Sequence, residues 1–241
     1  MAKQSSASFA ALLVDGYNVL SAKVQTFSHE IEFELEPGEG LGDSAREKEP
    51  TGLWTATLEQ TGAFFDTTAA RIHAAMSGVP ATVRQVAWAT TGNTIGAIFT
   101  AVQGAFTSSY RVISVIGKLT KADVKYAVTG QIDEGVILQT HVQQTIDWNN
   151  ASVDNLASSA NGGVGYLQVS QLAGLTGFVG VIEDSTNDST WTTLITFANV
   201  TASPAAQRLT VAGTVKRYLR FRGDVTGSGT VTLFVGFSRN P

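Results

Sequence analysis

Glu30, Glu32, Glu34 and Glu36 form the most regular run of like charges in this 241-residue chain, one carboxylate at every second position. Alternate side chains of an extended strand share a face, so the four make one stripe, while Phe27, His29, Ile31, Phe33 and Leu35 make the opposite, apolar one. Like charges side by side on a strand are mildly destabilising. The stripe is either a solvated strand face or a surface that must face a polyanion without holding it, since basic groups there would bind phosphates by releasing counterions.

Other candidates point to less chemistry. His29, His73 and His141 are far apart and lack metal-ligand spacing, and His29 falls on the apolar side of its strand, where a packed or surface role suits it better than ligation or base catalysis. Gly38, Gly40 and Gly42 follow a strand as a phosphate loop would, but Glu36, Glu39, Asp43, Glu47 and Glu49 surround them and would repel phosphate. Asp184, Asn187 and Asp188 crowd one turn without the spaced oxygens of an EF-hand, which favours an Asx turn over calcium. Lys216, Arg217, Arg220 and Arg222 sit on a strand whose alternation places Arg217 on one face and the other three opposite. Solubility, ion pairs to a neighbouring subunit or a sugar-facing surface would each suit them. Trp191 and Tyr218 are the nearby rings with which a glycan would stack. The chain has no cysteine, hence no thiol nucleophile, thiolate site or disulfide. With no nucleophile beside a base, no metal set and no cofactor cradle, the sequence predicts a non-enzyme with no catalytic residue, metal or cofactor.

The elements that position these residues read as mainly β. The composition is 43% hydrophobic and 15% charged with 24 glycines, against a usual charged share of about a quarter. A strand is expected over Leu12–Leu20, broken at Asp15–Gly16, and another over Phe27–Glu36. A long polar loop or hairpin tip follows over Glu36–Gly52, then extended segments at Leu53–Glu59, Thr82–Ala89, Ile98–Thr107, Tyr110–Leu119 and Val124–Gly130. One helix is predicted at about 67–77, capped by Asp66 or Thr67 and stopped by Gly78 and Pro80, with Ala69, Ile72 and Met76 on one face. Asp147–Gly163 lacks periodicity, which places a linker at 151–163 between a domain over 1–150 and a second over 164–241. Six short runs make the second an antiparallel β-sandwich: Val164–Ser170, Leu175–Glu183, Trp191–Phe197, Ala206–Val211, Val215–Arg222 and Gly229–Phe237. No stretch approaches the roughly 18–20 apolar residues of a membrane span, and the start lacks a secretory core, so a cytoplasmically made protein without a membrane anchor is expected. Residues 1–161 hold 16 acids and 10 bases, and residues 162–241 hold 4 and 6, so neither part has the basic footprint of a nucleic-acid binder.

The runs SFAALLVDGYNVLSAKVQTFSHEIEFE, TGLWTATLEQTGAFFDTTAARIHAAMSG, GNTIGAIFTAVQGAF and GKLTKADVKYAVTGQIDEG resemble the tail tube proteins of long-tailed phages (siphophages). The closing part, from GYLQVSQLAGLTGFVG to GTVTLFVGF, resembles β-sandwich decoration modules appended to phage structural proteins. The resemblance implies two packed sheets with a flanking helix, self-assembly into hexameric rings, and stacking of those rings into a virion tube through which the genome leaves. It implies Glu30, Glu32 and Glu34 towards the lumen. It also implies a loop carrying Glu36, Glu39, Asp43, Arg46, Glu47, Lys48 and Glu49 that reaches a neighbouring ring, and a C-terminal sandwich on the tube exterior. Implied partners are copies of itself, the tape measure, terminator and distal tail proteins, and DNA in transit without specific binding. A carbohydrate-binding or adhesin-like surface protein is the alternative, as are a related terminator or decoration protein.

Overall fold

The computed structural model describes Phe9, residues 11–38 and 48–66, His73, Met76, Ser77 and residues 82–240. Thirteen strands follow in chain order: β1 (Ala11–Val14), β2 (Tyr17–Asn18), β3 (Thr26–Pro37), β4 (Lys48–Phe64), β5 (Arg84–Ala89), β6 (Ile98–Ile113), β7 (Lys121–Gln144), β8 (Trp148–Asn149), β9 (Val153–Asp154), β10 (Gly163–Ser185), β11 (Thr192–Thr196), β12 (Ala205–Val211) and β13 (Tyr218–Arg239). Every ladder between them is antiparallel, and all belong to one hydrogen-bonded network with the central order β11-β10-β13-β7-β6-β5-β1-β2. The β3–β4 hairpin joins it through β7.

Three apolar clusters hold these strands. Leu12, Val14, Val86, Trp88, Leu58 and Tyr126 form one. Ala11, Leu13, Ala87, Ala89, Phe99, Tyr166 and Phe234 form the next. β1 and β5 are therefore buried on both faces, which explains why ALLV and VAWA are unbroken apolar runs rather than alternating ones. The small alanines face the second cluster and let β10 and β13 approach closely. In the third cluster Leu167 meets Phe178 and Ile182 of the same strand, and Leu219 and Phe221 meet Leu233 and Val235. The long β10–β13 ribbon thus folds back on itself, bending where its register shifts near Gln171 to Gly177. Each large buried side chain in these clusters contributes about 1.5–3 kcal/mol of apolar burial.

Several expected boundaries differ. β6 runs through Ser108 with a register shift instead of breaking there, and it ends at Ile113, so Val115, Ile116 and Leu119 lie in a turn rather than a strand. β7 continues past Gly130 to Gln144. Six predicted C-terminal runs become four strands, because β10 passes through Gly174 and β13 through Gly227 and Gly229, where turns were expected. Positive φ at Gly174 and Gly227 absorbs the bend without ending the ladder. The stretch expected as a linker is tied down: β9 pairs with Tyr218 and Leu219, Ser159 pairs with Val215, and Trp148 stacks on Phe178 at 5.8 Å. The predicted helix at 67–77 lies outside the described residues apart from His73, Met76 and Ser77. His73 and Met76 are helical, and the Ser77 N–H donates to the His73 carbonyl at 2.8 Å.

A candidate assembly surface on the β3–β4 arm

β3 carries the alternation read from the sequence, and β4 completes it: Glu30 faces Thr57 and Glu32 faces Thr55, while Ile31 faces Ala56 and Phe33 faces Trp54. The apolar side begins on the core, where the Phe27 and His29 rings lie 5.4 and 5.5 Å from that of Trp88. It then runs off the body. β4 is paired to β7 only from Thr57 to Phe64, and among the described residues β3 pairs with β4 alone. The hairpin from Ile31 outward is a two-stranded arm with an open edge along β3. Its apolar side chains are only partly covered: Ile31 is 42% exposed, Phe33 65%, Leu35 48%, Leu53 65% and Trp54 36%. Where the arm leaves the body, a groove of about 450 Å³ runs between Ile31, Phe33 and Trp54 on one side and Gln131, Glu134 and Arg239 on the other. An isolated hairpin is marginal in water, and an open edge beside a contiguous apolar face is a surface suited to another chain.

No protein-family model matches the chain, and no curated protein does. Among solved structures, it is similar to a chain in the virion of a native gene transfer agent, with a TM-score of 0.43 and 10% identity over 54% of this chain and 97% of that one. It is similar to a chain in the C6-symmetric tail of an empty gene transfer agent particle, at 0.42 and 12% over 54% and 97%. A third likeness is to the Dit protein of SPP1, described as a hub adsorption apparatus of phages infecting Gram-positive hosts, at 0.34 and 11% over 95% and 99%. At these TM-scores and identities the likenesses carry no functional argument.

Glu30, Glu32, Glu34 and Glu36 are all exposed on β3. The expected long loop is shorter than predicted, because Glu36, Pro37 and Lys48 to Gly52 are strand residues, with Glu36 opposite Glu49 and Pro37 opposite Lys48. Glu39, Asp43, Arg46 and Glu47 lie outside the described residues.

The other candidates are occupied by local structure. Arg220 contacts Glu183 at 2.7 Å, Arg222 contacts Glu183 at 3.3 Å and Asp224 at 2.5 Å, and Lys216 contacts Asp184 at 3.1 Å. Arg217 grips Asp154 with two bonds of 2.6 and 2.7 Å, which holds that carboxyl down at about 2. The basic cluster is therefore internally matched. One face of the Trp191 ring is covered by the Arg220 guanidinium at 4.3 Å, and one face of Tyr218 by that of Arg217 at 4.9 Å. Asn187 Oδ1 accepts from the Ser189 and Thr190 N–H groups, and Asp184 is taken by Thr192 and Lys216, so these two residues spend their oxygens on the protein, while Asp188 is exposed. Among the described residues no group of three His, Cys, Asp or Glu side chains is placed to hold a metal.

Two histidine pairs escaped the sequence reading because their partners are remote in the chain. His73 Nδ1 lies 2.8 Å from the Tyr110 hydroxyl, and His141 Nε2 lies 2.8 Å from Ser170 Oγ. Ser170 Oγ lies within donor reach of both His141 Nε2 and the Thr232 carbonyl, the latter at 3.2 Å, so the tautomer of His141 sets the direction of its bond to the serine. Burial lowers the His141 pKa, which keeps the ring neutral. A buried network of Asp133, Tyr166 and Arg208 was also missed. Tyr166 donates to Asp133, Arg208 Nε donates to the Tyr166 oxygen at 3.1 Å, and the guanidinium lies 3.5 Å from Asp133.

Proposed function

We propose that this chain is a structural subunit of a phage tail, a tail tube protein whose copies form hexameric rings that stack into a conduit for the genome. The observation that carries the proposal is the arm: β3 has one partner strand among the described residues, and the outer apolar side chains of the hairpin remain 36–65% exposed. A second copy pairing along the open edge would bury Phe33, Leu35 and Trp54 and remove the edge, which ring closure does for every subunit at once. The sequence resemblance to siphophage tail tube proteins supports the same reading.

On this proposal the apolar side of the arm packs on a neighbour, and Glu30, Glu32 and Glu34 on the other side line the passage, repelling phosphate so that DNA slides without being held. The hairpin end, with Glu36, Glu39, Asp43, Arg46, Glu47, Lys48 and Glu49, reaches the next ring. Residues 1–150 form the tube domain and residues 164–241 decorate its outside. The tape measure, terminator and distal tail proteins are its partners in the virion, and no step needs a catalyst or cofactor. Negative-stain microscopy of the concentrated, purified protein tests this: rings and tubes are expected, and removal of residues 38–48 is expected to stop growth at rings. A protein that stays monomeric at every concentration and salt condition contradicts it.

A further inference from the structure

The groove at the root of the arm has one apolar wall and one open charge. Ile31 and Phe33 share a strand face, and Trp54 stands opposite Phe33 on that same face, so the three form a single wall, to which Ile132 adds. The groove measures about 450 Å³, and since about 150 Å³ holds one benzene-sized group, two or three aliphatic side chains fit. Most of the charge along it is spent within the chain: Asp133 accepts from Tyr166 and pairs with Arg208, while Arg239 donates to Ser159 and to the Val215 and Lys216 carbonyls. Glu134 is exposed and has no ion-pair partner among the described residues. At the far end of the same sheet the β6–β7 turn offers the converse. The Lys118 N–H donates to the Val115 carbonyl at 3.0 Å and Gly117 has a φ of 75°, which makes a type II β-turn with Ile116 at its tip. Ile116 is fully exposed, and Val115 and Leu119 are more than half exposed, in a place where turn chemistry favours Gly, Pro, Asn, Asp or Ser. Lys118 is exposed among them, and Arg111, Lys121 and Lys125 flank the turn against one acid, Asp123, which Arg111 holds at 2.7 Å.

The turn cannot reach the groove of its own chain. β6 and β7 pair from Ile98 and Val136 to Ile113 and Lys121, and Gln131, on the rim of the groove, stands ten residues along β7 from Lys121, about 33 Å at ordinary strand rise. A basic, apolar knob at one end of a subunit and a groove of matching size and opposite charge at the other give a head-to-tail contact, which repeats from copy to copy.

We infer that the β6–β7 turn of one copy inserts into the arm-root groove of the next, with Ile116 against Phe33 and Trp54 and Lys118 beside Glu134. The inference deepens the self-assembly reading above and rests on it: it names the segment of the neighbouring copy that covers the apolar side of the arm. The hydrogen-bonding edge of β3 stays open to a further strand, and Glu30, Glu32 and Glu34, on the other side of β3, take no part.

The chain has no cysteine, so introduced cysteines report the contact on the full-length protein without background. A disulfide needs its Cα atoms within about 7 Å, so Ile116→Cys mixed with Gln131→Cys under mild oxidation is expected to link copies about tenfold faster than Ile116→Cys mixed with Ser189→Cys, an exposed position between β10 and β11. One chain carrying both Ile116→Cys and Gln131→Cys is expected to give a ladder of linked multimers. By sedimentation velocity, Ile116→Asp and Lys118→Glu are each expected to raise the concentration needed for assembly about tenfold or more. Glu134→Lys added to Lys118→Glu is expected to bring it back to within about threefold of the original. All the changed positions are exposed, so unchanged melting temperatures are expected to show intact folding. Equal linking rates in the two mixtures, assembly of Ile116→Asp at the unmodified concentration, or a charge exchange that restores nothing would each overturn the seat and leave the groove to another chain or to solvent. In those cases the unmodified protein still forms tubes and the self-assembly reading stands. If the unmodified protein forms no tubes, that reading fails and the seat fails with it.

Discussion

Asp15 and Gly16 join distant parts of the chain through one turn. Both have positive φ, 49° and 85°, as a tight two-residue hairpin turn requires. A Cβ on Gly16 would stand 2.5 Å from the Val169 carbonyl oxygen and 2.6 Å from the Ala205 backbone. Gly16→Ala is therefore expected to cost roughly 2–4 kcal/mol in urea unfolding, from left-handed strain plus backbone contacts that cannot step aside. Tyr166→Phe is expected to cost about 1–3 kcal/mol, since Asp133 and Arg208 each lose a buried hydrogen-bond partner. His141 sets a pH dependence. Burial holds its folded pKa below the ordinary value of 6.5, so the unfolded chain takes up the proton first as pH falls. The stability held with the neutral ring is full above the unfolded value and is lost as pH drops through it towards the folded one. The difference in unfolding free energy between the native protein and His141→Gln should shrink as pH is lowered from about 7 to about 5. A difference constant across that range contradicts this account of the ring.

At the scale of the element, the arm separates stability from assembly. Phe33 and Leu35 are 65% and 48% exposed and lie opposite Trp54 and Pro50 within the hairpin, so Phe33→Ser with Leu35→Ser should change unfolding free energy by no more than about 1 kcal/mol per site while suppressing rings and tubes. Loss of stability comparable to a core truncation would mean the arm packs on its own body. The arm was legible in the sequence because its period of two is unbroken from Phe27 to Glu36, and the Asp15–Gly16 turn was legible from residue type. What the sequence did not reveal was that the apolar side runs out beyond the core: Phe27 packs on Trp88 and Phe33 is 65% exposed, yet both occupy the same parity. Strands buried on both sides were harder. Ile137 and Leu138 are adjacent in sequence and face different clusters, so the second half of β7 shows no alternation and went unseen. Glycines misled at β10 and β13, where Gly174, Gly227 and Gly229 bend a continuous ladder instead of ending it. The ion pairs that neutralise Lys216, Arg217, Arg220 and Arg222 join residues up to 63 positions apart, a distance no local pattern reports.

For the whole molecule, the proposed assembly sets apolar side chains against a neighbour and carboxylates towards a passage. Glu30→Lys, Glu32→Lys and Glu34→Lys together should turn assembled tubes that ignore double-stranded DNA into ones that hold it, with log K falling against log salt by about 0.9 per phosphate engaged. DNA retention by the unmodified tubes of equal strength and salt slope would remove the passage. The most direct measurement is an electron cryomicroscopy map of the assembled protein. The account predicts Phe33, Leu35 and Trp54 buried against a second copy along the β3 edge, with Glu30, Glu32 and Glu34 lining the central channel. A map that leaves those three apolar side chains in solvent, or sets the three carboxylates on the exterior or against a neighbour's basic groups, contradicts it.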